Sequence, residues 1–398
     1  MSVDCHAVEN LKPIVFTVFE PSGDVLAARL IEEIKLRQPS RPVVAFGGPK
    51  MEAAGAEILE HTTAHAKMGF GAASEAKELL RRKAVLTSWL KDNEIAALVP
   101  TDSPAANWSM CKAVRKTHPE APIVHLVCPQ IWAWATWRIV RLRRLTDHVM
   151  CLLPFEPNWL GQRGVNSTFV GHPLFEATDD TPDAQDLLDT DGQPLRDSET
   201  KLALLPGSRP KEIERNWPTM LQVYDQLRHR VPDLSVVIAA ADAARADQVR
   251  QHCPGGRIPS GIQTVVGEAS AVLDWADAAL VVSGTATLQA ASRQTPMVAL
   301  YNGNMKLWHS VGKLLIKART FALPNVITEA MELGRIVPEF IPHDGRPEPL
   351  TTALTPLLND ANARQKQLDG FSSLADFFRD VEFRHAAADV LLEQIQDG

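Results

Sequence analysis

The chain has no run of 18 or more apolar residues, which excludes an ordinary membrane-spanning helix. Its N-terminus, Met1-Ser-Val-Asp-Cys-His, lacks a basic stretch followed by a long apolar core, so no secretory signal is expected. There is no Cys-x-x-Cys pair and no close histidine cluster. The five cysteines (Cys5, Cys111, Cys128, Cys151 and Cys253) are widely scattered, which argues against a disulfide framework or a structural zinc site and for a reducing compartment. The net charge is −7, and no basic stripe is interleaved with aromatics, so a nucleic-acid partner is not expected. The phosphate loop GxxxxGK[ST] is also missing, and with it the indication of an ATPase. These absences leave a protein of the cytoplasm or of a membrane surface, with no metal and no cofactor called for.

What is present is an ordinary globular composition. With 398 residues, 45% apolar and 22% charged, the chain is long enough for two domains of roughly 150–200 residues each. Short β-branched runs alternate with helical spacings. Residues 13–19, 42–48, 95–100 and 123–127 read as strands in the first half. After a stretch rich in Thr, Asp, Gln, Pro and Ser at about residues 175–200, alternation resumes at residues 202–206, 234–240, 278–283 and 297–301. Strand–helix alternation builds a parallel sheet covered by helices on both faces. The expected fold is therefore α/β, with two facing doubly wound domains. These span residues 1–178 and 200–350, with a helical tail over 351–398 that packs back towards the first. Ligands of such sheets sit at the carboxyl ends of the strands. That architecture suits UDP-sugar transferases, sugar epimerases and periplasmic-type binding proteins alike.

Several strand-to-helix turns carry candidate chemistry. In Glu20-Pro21-Ser22-Gly23-Asp24, Gly permits a close turn, while Ser and Asp either cap the helix or leave backbone N–H groups facing a ligand. Asp102, in Thr101-Asp102-Ser103-Pro104-Ala105-Ala106-Asn107, is either a general base at a strand end or an Asx-turn before a helix. Leu205-Pro206-Gly207-Ser208-Arg209 and Ser283-Gly284-Thr285-Ala286-Thr287 suit a pyrophosphate, with backbone donors in close approach and a guanidinium that forks onto oxygens; tight packing is the other reading. Trp132 and Trp134 lie two apart in an extended stretch, either lining a sugar or acyl site or filling core. Arg138, Arg141, Arg143 and Arg144 beside Trp132, Trp134 and Trp137 fit either an anionic membrane contact or a solvated helix face.

Taken in order, these segments resemble lipid-A-disaccharide synthases. The matching stretches are Glu20-Pro-Ser-Gly-Asp, Gly47-Gly-Pro-Lys-Met, Met68-Gly-Phe, Asp102-Ser-Pro with Asn107, and Pro129-Gln-Ile-Trp-Ala-Trp. They continue with Leu153-Pro-Phe-Glu, Phe169-Val-Gly-His-Pro, Leu205-Pro-Gly-Ser-Arg, Ser283-Gly-Thr-Ala-Thr-Leu, Thr295-Pro-Met-Val, Leu323-Pro-Asn and Val337-Pro-Glu. The resemblance implies an inverting glycosyltransferase of the GT-B type, with the acceptor domain first and the UDP domain second. The implied donor is UDP-2,3-diacylglucosamine and the acceptor 2,3-diacylglucosamine 1-phosphate; the products are a β-1,6-linked disaccharide 1-phosphate and UDP. It implies Asp102 as the base for the acceptor 6-hydroxyl. Ser22, Gly23, Asp24, Asn107, Trp132 and Trp134 would stand on the acceptor side. Ser208, Arg209, Ser283, Gly284, Thr285, Gln289 and Asn325 would surround UDP. The enzyme would work from the inner face of the cytoplasmic membrane.

The chain also departs from the family pattern. Gln289 stands where Glu is usual, Ala135 and Asn302 where Arg is usual, and Ala105 where a second acid is usual near Asp102. The alternatives are another UDP-sugar enzyme of the same fold, or a lipid-sugar-binding paralogue with weakened catalysis.

Overall fold

The structure is a computed structural model that describes residues 11–63, 72–176, 181–303 and 320–395. The matching stretch Met68-Gly-Phe lies outside the described residues. The chain divides into two compact units: Met1–Pro173 with Val381–Gly398, and Leu174–Asp380.

The first unit carries a seven-stranded parallel sheet. In chain order it runs β1 (Ile14–Val18), α1 (Pro21–Arg37), β2 (Val43–Gly47), α2 (Pro49–Ala53), β3 (Glu57–His61), α3 (Ala72–Trp89), β4 (Ala97–Thr101) and α4 (Pro104–Thr117). It continues with β5 (Val124–Leu126), α5 (Ile139–Leu145), β6 (His148–Cys151), α6 (Glu156–Gly161) and β7 (Ser167–Phe169). The spatial order is β3-β2-β1-β4-β5-β6-β7. All five residues of β1 are buried because helices cover both faces. Ile14, Phe16 and Val18 pack with Leu30, Ile31 and Ile34 of α1, while Val15 points the other way, towards Leu86, Trp108 and Val114. Strands covered on both sides read as continuous apolar runs rather than alternating ones. Proline in the first turn of α1, α2 and α4 makes the β-to-α connections tight, since that position needs no amide hydrogen.

The second unit carries a six-stranded parallel sheet. Its elements are β8 (Thr200–Leu205), α7 (Pro210–Leu227), β9 (Leu234–Ala240), α8 (Ala243–Gln251), β10 (Ile262–Val266), α9 (Ala269–Trp275), β11 (Ala278–Val282) and α10 (Thr285–Ser292). β12 (Met297–Asn302), α11 (Leu323–Ala330), β13 (Glu339–His343), α12 (Pro347–Asn359) and α13 (Ala361–Asp376) follow. The order is β10-β9-β8-β11-β12-β13. Trp217 of α7 is fully buried against Leu204, Ile238 and Leu280, and Leu350 and Leu354 of α12 close the same core.

The tail expected over residues 351–398 divides between the units. α12 and α13 belong to the second, where Gln367 of α13 donates to the Met297 carbonyl at 3.1 Å and so ties that helix to β12. Only the last helix, α14 (Phe383–Gln394), joins the first unit, burying Phe383, Ala387 and Leu391 beside α1. The described part of the polar stretch after residue 180 is not free either. Gln263 of β10 donates to Asp189 at 2.9 Å and accepts from the Arg196 amide at 2.7 Å, which holds that loop on the sheet edge.

Candidate active site

In each sheet the chain starts in the middle, winds outward to one edge, then returns and winds to the other. The first strand and its neighbour on the far side therefore send their following helices to opposite faces and leave a crevice between their carboxyl ends. In the first unit that switch lies between β1 and β4, paired from Ile14–Ala97 to Val18–Thr101. The residues that follow those strands are Glu20 to Asp24 and Asp102 to Asn107. In the second unit it lies between β8 and β11, paired from Ala278–Leu202 to Val281–Leu205. Pro206 to Arg209 and Ser283 to Thr287 follow them. Each unit thus brings together the two turns singled out from sequence, though about 80 residues separate the members of each pair.

At the first switch, Asp102 and Ser103 both adopt left-handed backbone angles, φ +48° and +33°. Two consecutive non-glycine residues there cost of order 1–3 kcal/mol each, so the surroundings must enforce the turn. Asn107 does so. It is fully buried, its amide nitrogen donates to the carbonyls of Thr101 and Asp102 at 2.9 Å each, and its oxygen accepts from the Thr17 hydroxyl at 2.6 Å. Ser103 donates to the Glu20 carboxylate at 2.9 Å, linking the two turns. Gly23 lies underneath: a Cβ there would stand 2.9 Å from Val18 Cγ1 and 3.9 Å from Asp102 Cβ. The half-buried Asp102 carboxyl group is therefore mounted on a rigid turn, while Asn107 is a positioning residue with both amide hydrogens engaged.

Asp24, expected on the acceptor side, has a second role in this structure. It is buried, and its carboxylate accepts from the backbone amides of Gly48 (3.0 Å), Lys50 (3.1 Å) and Met51 (3.2 Å). It thus caps α2 from the first turn of the neighbouring α1, where a carboxylate also meets the positive end of the helix dipole. A Cβ on Gly48 would collide with that carboxylate, which accounts for the Gly47-Gly48-Pro49-Lys50 sequence. Ser22, by contrast, is exposed in the first turn of α1.

At the second switch, Gly207 has φ +106°, and a Cβ there would stand 2.8 Å from Glu212. The Glu212 carboxylate accepts from the amides of Ser208 and Arg209 at 3.2 Å each and from the Arg209 guanidinium at 3.1 Å. Glu212 was not singled out from sequence, yet in this structure it occupies the backbone donors expected to meet a pyrophosphate. The signal was its position three residues after Arg209, the second half of a capping box. Arg209 itself is 71% exposed, and Gly284 and Thr285 are exposed at the start of α10. Ser283 donates to the Phe321 carbonyl at 3.1 Å, and Gln289 donates to Ser270 at 2.8 Å.

Asn325 is buried and fully used by the protein. Its nitrogen donates to the Val337 carbonyl (2.8 Å) and Glu339 (3.0 Å), and its oxygen accepts the amides of Ile336 and Val337 at 2.9 Å each. Both donors and both acceptor positions of the carboxamide are thus engaged within the unit. In this structure these bonds pin the segment leading into β13 to α11.

Trp132 is half-buried, donating its indole N–H to Glu156 at 3.0 Å and meeting Phe155 edge to face. Burial pushes the Glu156 carboxyl group up to about 7. Trp134, Trp137 and Val140 are exposed. Arg138 lies 4.5 Å from the Trp134 ring centre, and Arg141 lies 4.4 Å over Trp108. Arg143 and Arg144 are exposed on the same short helix, α5. Among the described residues no helix is long and apolar enough to cross a membrane.

Comparison with known proteins adds a family. The kitacinnamycin glycotransferase matches with TM-score 0.64 at 15% identity, covering 97% of this chain and all of that one. UDP-GlcNAc 2-epimerase from Neisseria meningitidis, solved with UDP-GlcNAc, matches with TM-score 0.62 at 12% identity, covering 96% and 98%. At such identities the likeness is one of fold, the two-domain GT-B fold. Lipid-A-disaccharide synthase of Pseudomonas putida is 31% identical over 88% of this chain and 90% of its own length. That of Burkholderia thailandensis is 36% identical over 87% of each. Residues 14–392 match the family described as lipid-A-disaccharide synthetase, and with that extent of likeness the chain belongs to the lipid-A-disaccharide synthetase family of glycosyltransferases.

Proposed function

We propose that this chain joins the acylated glucosamine of a UDP-sugar donor to an acylated glucosamine 1-phosphate acceptor, giving the β-1,6 lipid A disaccharide 1-phosphate and UDP. The observation that carries the reading is the assembly of one acid-bearing turn and one phosphate-type turn at separate sheet switch points, within a chain of this family. Asp102 takes the proton of the acceptor 6-hydroxyl as its oxygen attacks the anomeric carbon. The bond from that carbon to the UDP oxygen breaks, and configuration inverts. One base opposite the leaving group suffices for this, unlike the paired carboxyls of a retaining hydrolase. Arg209, with the Ser208 and Thr285 turns, stabilises the charge gathering on the departing diphosphate. Glu212 must yield the Ser208 and Arg209 amides when the diphosphate arrives, since a carboxylate and a phosphate oxygen compete for the same donors.

The acyl chains of both substrates point to a membrane. The exposed Trp134, Trp137 and Val140 form an apolar face, and Arg138, Arg141, Arg143 and Arg144 supply charge for anionic headgroups on the inner face of the cytoplasmic membrane.

The deciding experiment is Asp102→Asn. Base catalysis of this type is worth roughly 10²–10⁴-fold, so turnover should fall by about that much while UDP affinity, which resides in the other unit, holds. A folded variant that keeps more than about a tenth of wild-type turnover returns Asp102 to a turn-forming role. Wild-type protein that binds UDP but forms no disaccharide would favour the binding-paralogue reading instead.

A further inference from the structure

We propose that Cys128, Cys151 and Glu156 form a binding site for a soft divalent cation, Zn²⁺ being the commonest of that class. Their ligand atoms all lie within 4.8 Å of one another, and the three residues form the one such group of buried side chains among the described residues. A cation held about 2.3 Å from each of two sulfurs spans at most about 4.6 Å between them, with a carboxylate oxygen at about 2.0–2.2 Å. The 4.8 Å bound on the empty cluster lies slightly above that span, so small side-chain rotations would close the three ligand atoms onto one ion. Cys128 stands two residues past β5, Cys151 ends β6, and Glu156 opens α6. β5 and β6 are paired with Leu126 opposite Met150, which brings both cysteines to the same end of the sheet.

The surroundings hold the three groups together as a buried polar cluster in an apolar lining. Relative exposures are 2% for Cys128, 0% for Cys151 and 2% for Glu156, and the walls are Ile131, Leu142, Val149 and Leu160. The Glu156 carboxyl group, buried beside two thiols in such a lining, is kept there by hydrogen bonds that would also orient it towards an ion. Metal-ligating carboxylates are typically held by outer hydrogen bonds, and both oxygens of Glu156 have one: Trp132 Nε1 to Oε1 at 3.0 Å, and the Leu153 amide to Oε2 at 3.1 Å. The Pro129 carbonyl, 3.5 Å from the Cys128 sulfur, offers a further oxygen. On binding, the two S–H bonds break, their protons and any proton on the Glu156 carboxyl group leave to solvent, and two metal–sulfur bonds and one metal–oxygen bond form. Two thiolates and a carboxylate against a divalent cation leave a single negative charge, spread onto the two N–H donors. The metal would fasten the end of β5 to α6 and so fix the segment that carries Trp132 and Trp134.

The test uses the full chain, reduced, treated with chelator and then titrated with Co²⁺. The expected result is one Co²⁺ per chain with a thiolate-to-metal absorption band that Zn²⁺ abolishes by displacement. Cys151→Ser should remove the band and Glu156→Gln should weaken affinity about tenfold or more, whereas Cys253→Ser, in the other unit, should leave both unchanged. Circular dichroism establishes that each variant is folded. X-ray absorption of the zinc-loaded wild type needs no variant, and it should find two sulfur neighbours and the rest oxygen or nitrogen. No thiolate band in the wild type, an undiminished band in folded Cys151→Ser, or a zinc shell without sulfur would each overturn the proposal.

Discussion

Asp24→Ala separates two roles for one residue. Removing the carboxylate strips the acceptor from three amides of the first turn of α2. Lys50 is exposed and its amide can turn to water, but Gly48 and Met51 are buried. Each buried donor left without a partner costs about 1–3 kcal/mol, so the expected loss is roughly 2–6 kcal/mol. For a folding unit of this size about 1 kcal/mol corresponds to roughly 2–4 °C, so the melting transition of the first unit should fall by about 4 °C at the least. Asp24→Asn keeps one acceptor oxygen but turns an amide donor towards the others and gives up the charge-assisted character of the bonds, so it should fall between wild type and alanine. Thermal denaturation followed by circular dichroism reads this directly, with the acceptor KM measured on the same samples at a temperature where all are folded. If Asp24 instead touched the acceptor, KM would rise while the melting temperature stayed within about 2 °C of wild type. That result would refute the capping role.

Asn325→Ala removes four hydrogen bonds inside the second unit and should lower its denaturant midpoint by the equivalent of about 2–4 kcal/mol; a weakened UDP affinity at unchanged stability would instead make Asn325 a ligand contact. Burial depresses the imidazole of His125 to about 4 from 6.5. Because the unfolded chain takes up that proton first, stability is fully present above pH 6.5 and is lost as pH falls through 4, by roughly 3 kcal/mol for this group. Denaturant melts between these values should lose less stability in His125→Leu than in wild type, with His172, likewise depressed to about 4 by burial, supplying a remaining slope; parallel curves would contradict the assignment. For the membrane face, Trp137→Ser with Arg141→Ser should reduce sedimentation with anionic vesicles, and binding by the wild type should fall as salt rises. Equal partition of the wild type onto neutral and anionic vesicles at low salt would remove the electrostatic contribution.

The sequence by itself determined the fold class and the turns that carry chemistry. Ala278–Val282 is an uninterrupted apolar run and Ile14–Val18 is broken only by Thr17, and glycine, proline and small hydroxyl residues mark where each turns into a helix. Missed were β3, β7, β10 and β13, the four sheet edges, and the four-residue β6. An edge strand is covered on fewer sides, so Glu57-Ile-Leu-Glu-His need not be apolar throughout and does not announce itself. Only the tertiary structure decided what each polar side chain faces. Asp24 and Asn325 sit in motifs that read as ligand-binding, yet their partners here, the first turn of α2 and the segment that leads into and opens β13, are 24 to 27 and 11 to 14 residues away in the chain. The tail was legible as helical, but its division between the units rests on where α13 and α14 find apolar partners, and helical periodicity names a buried face without naming what covers it. Cys128, Cys151 and Glu156 read as scattered residues because no local spacing joins them. The pairing of β5 with β6 and the start of α6 set them side by side, since strand register and helix placement, not chain distance, fix which side chains meet.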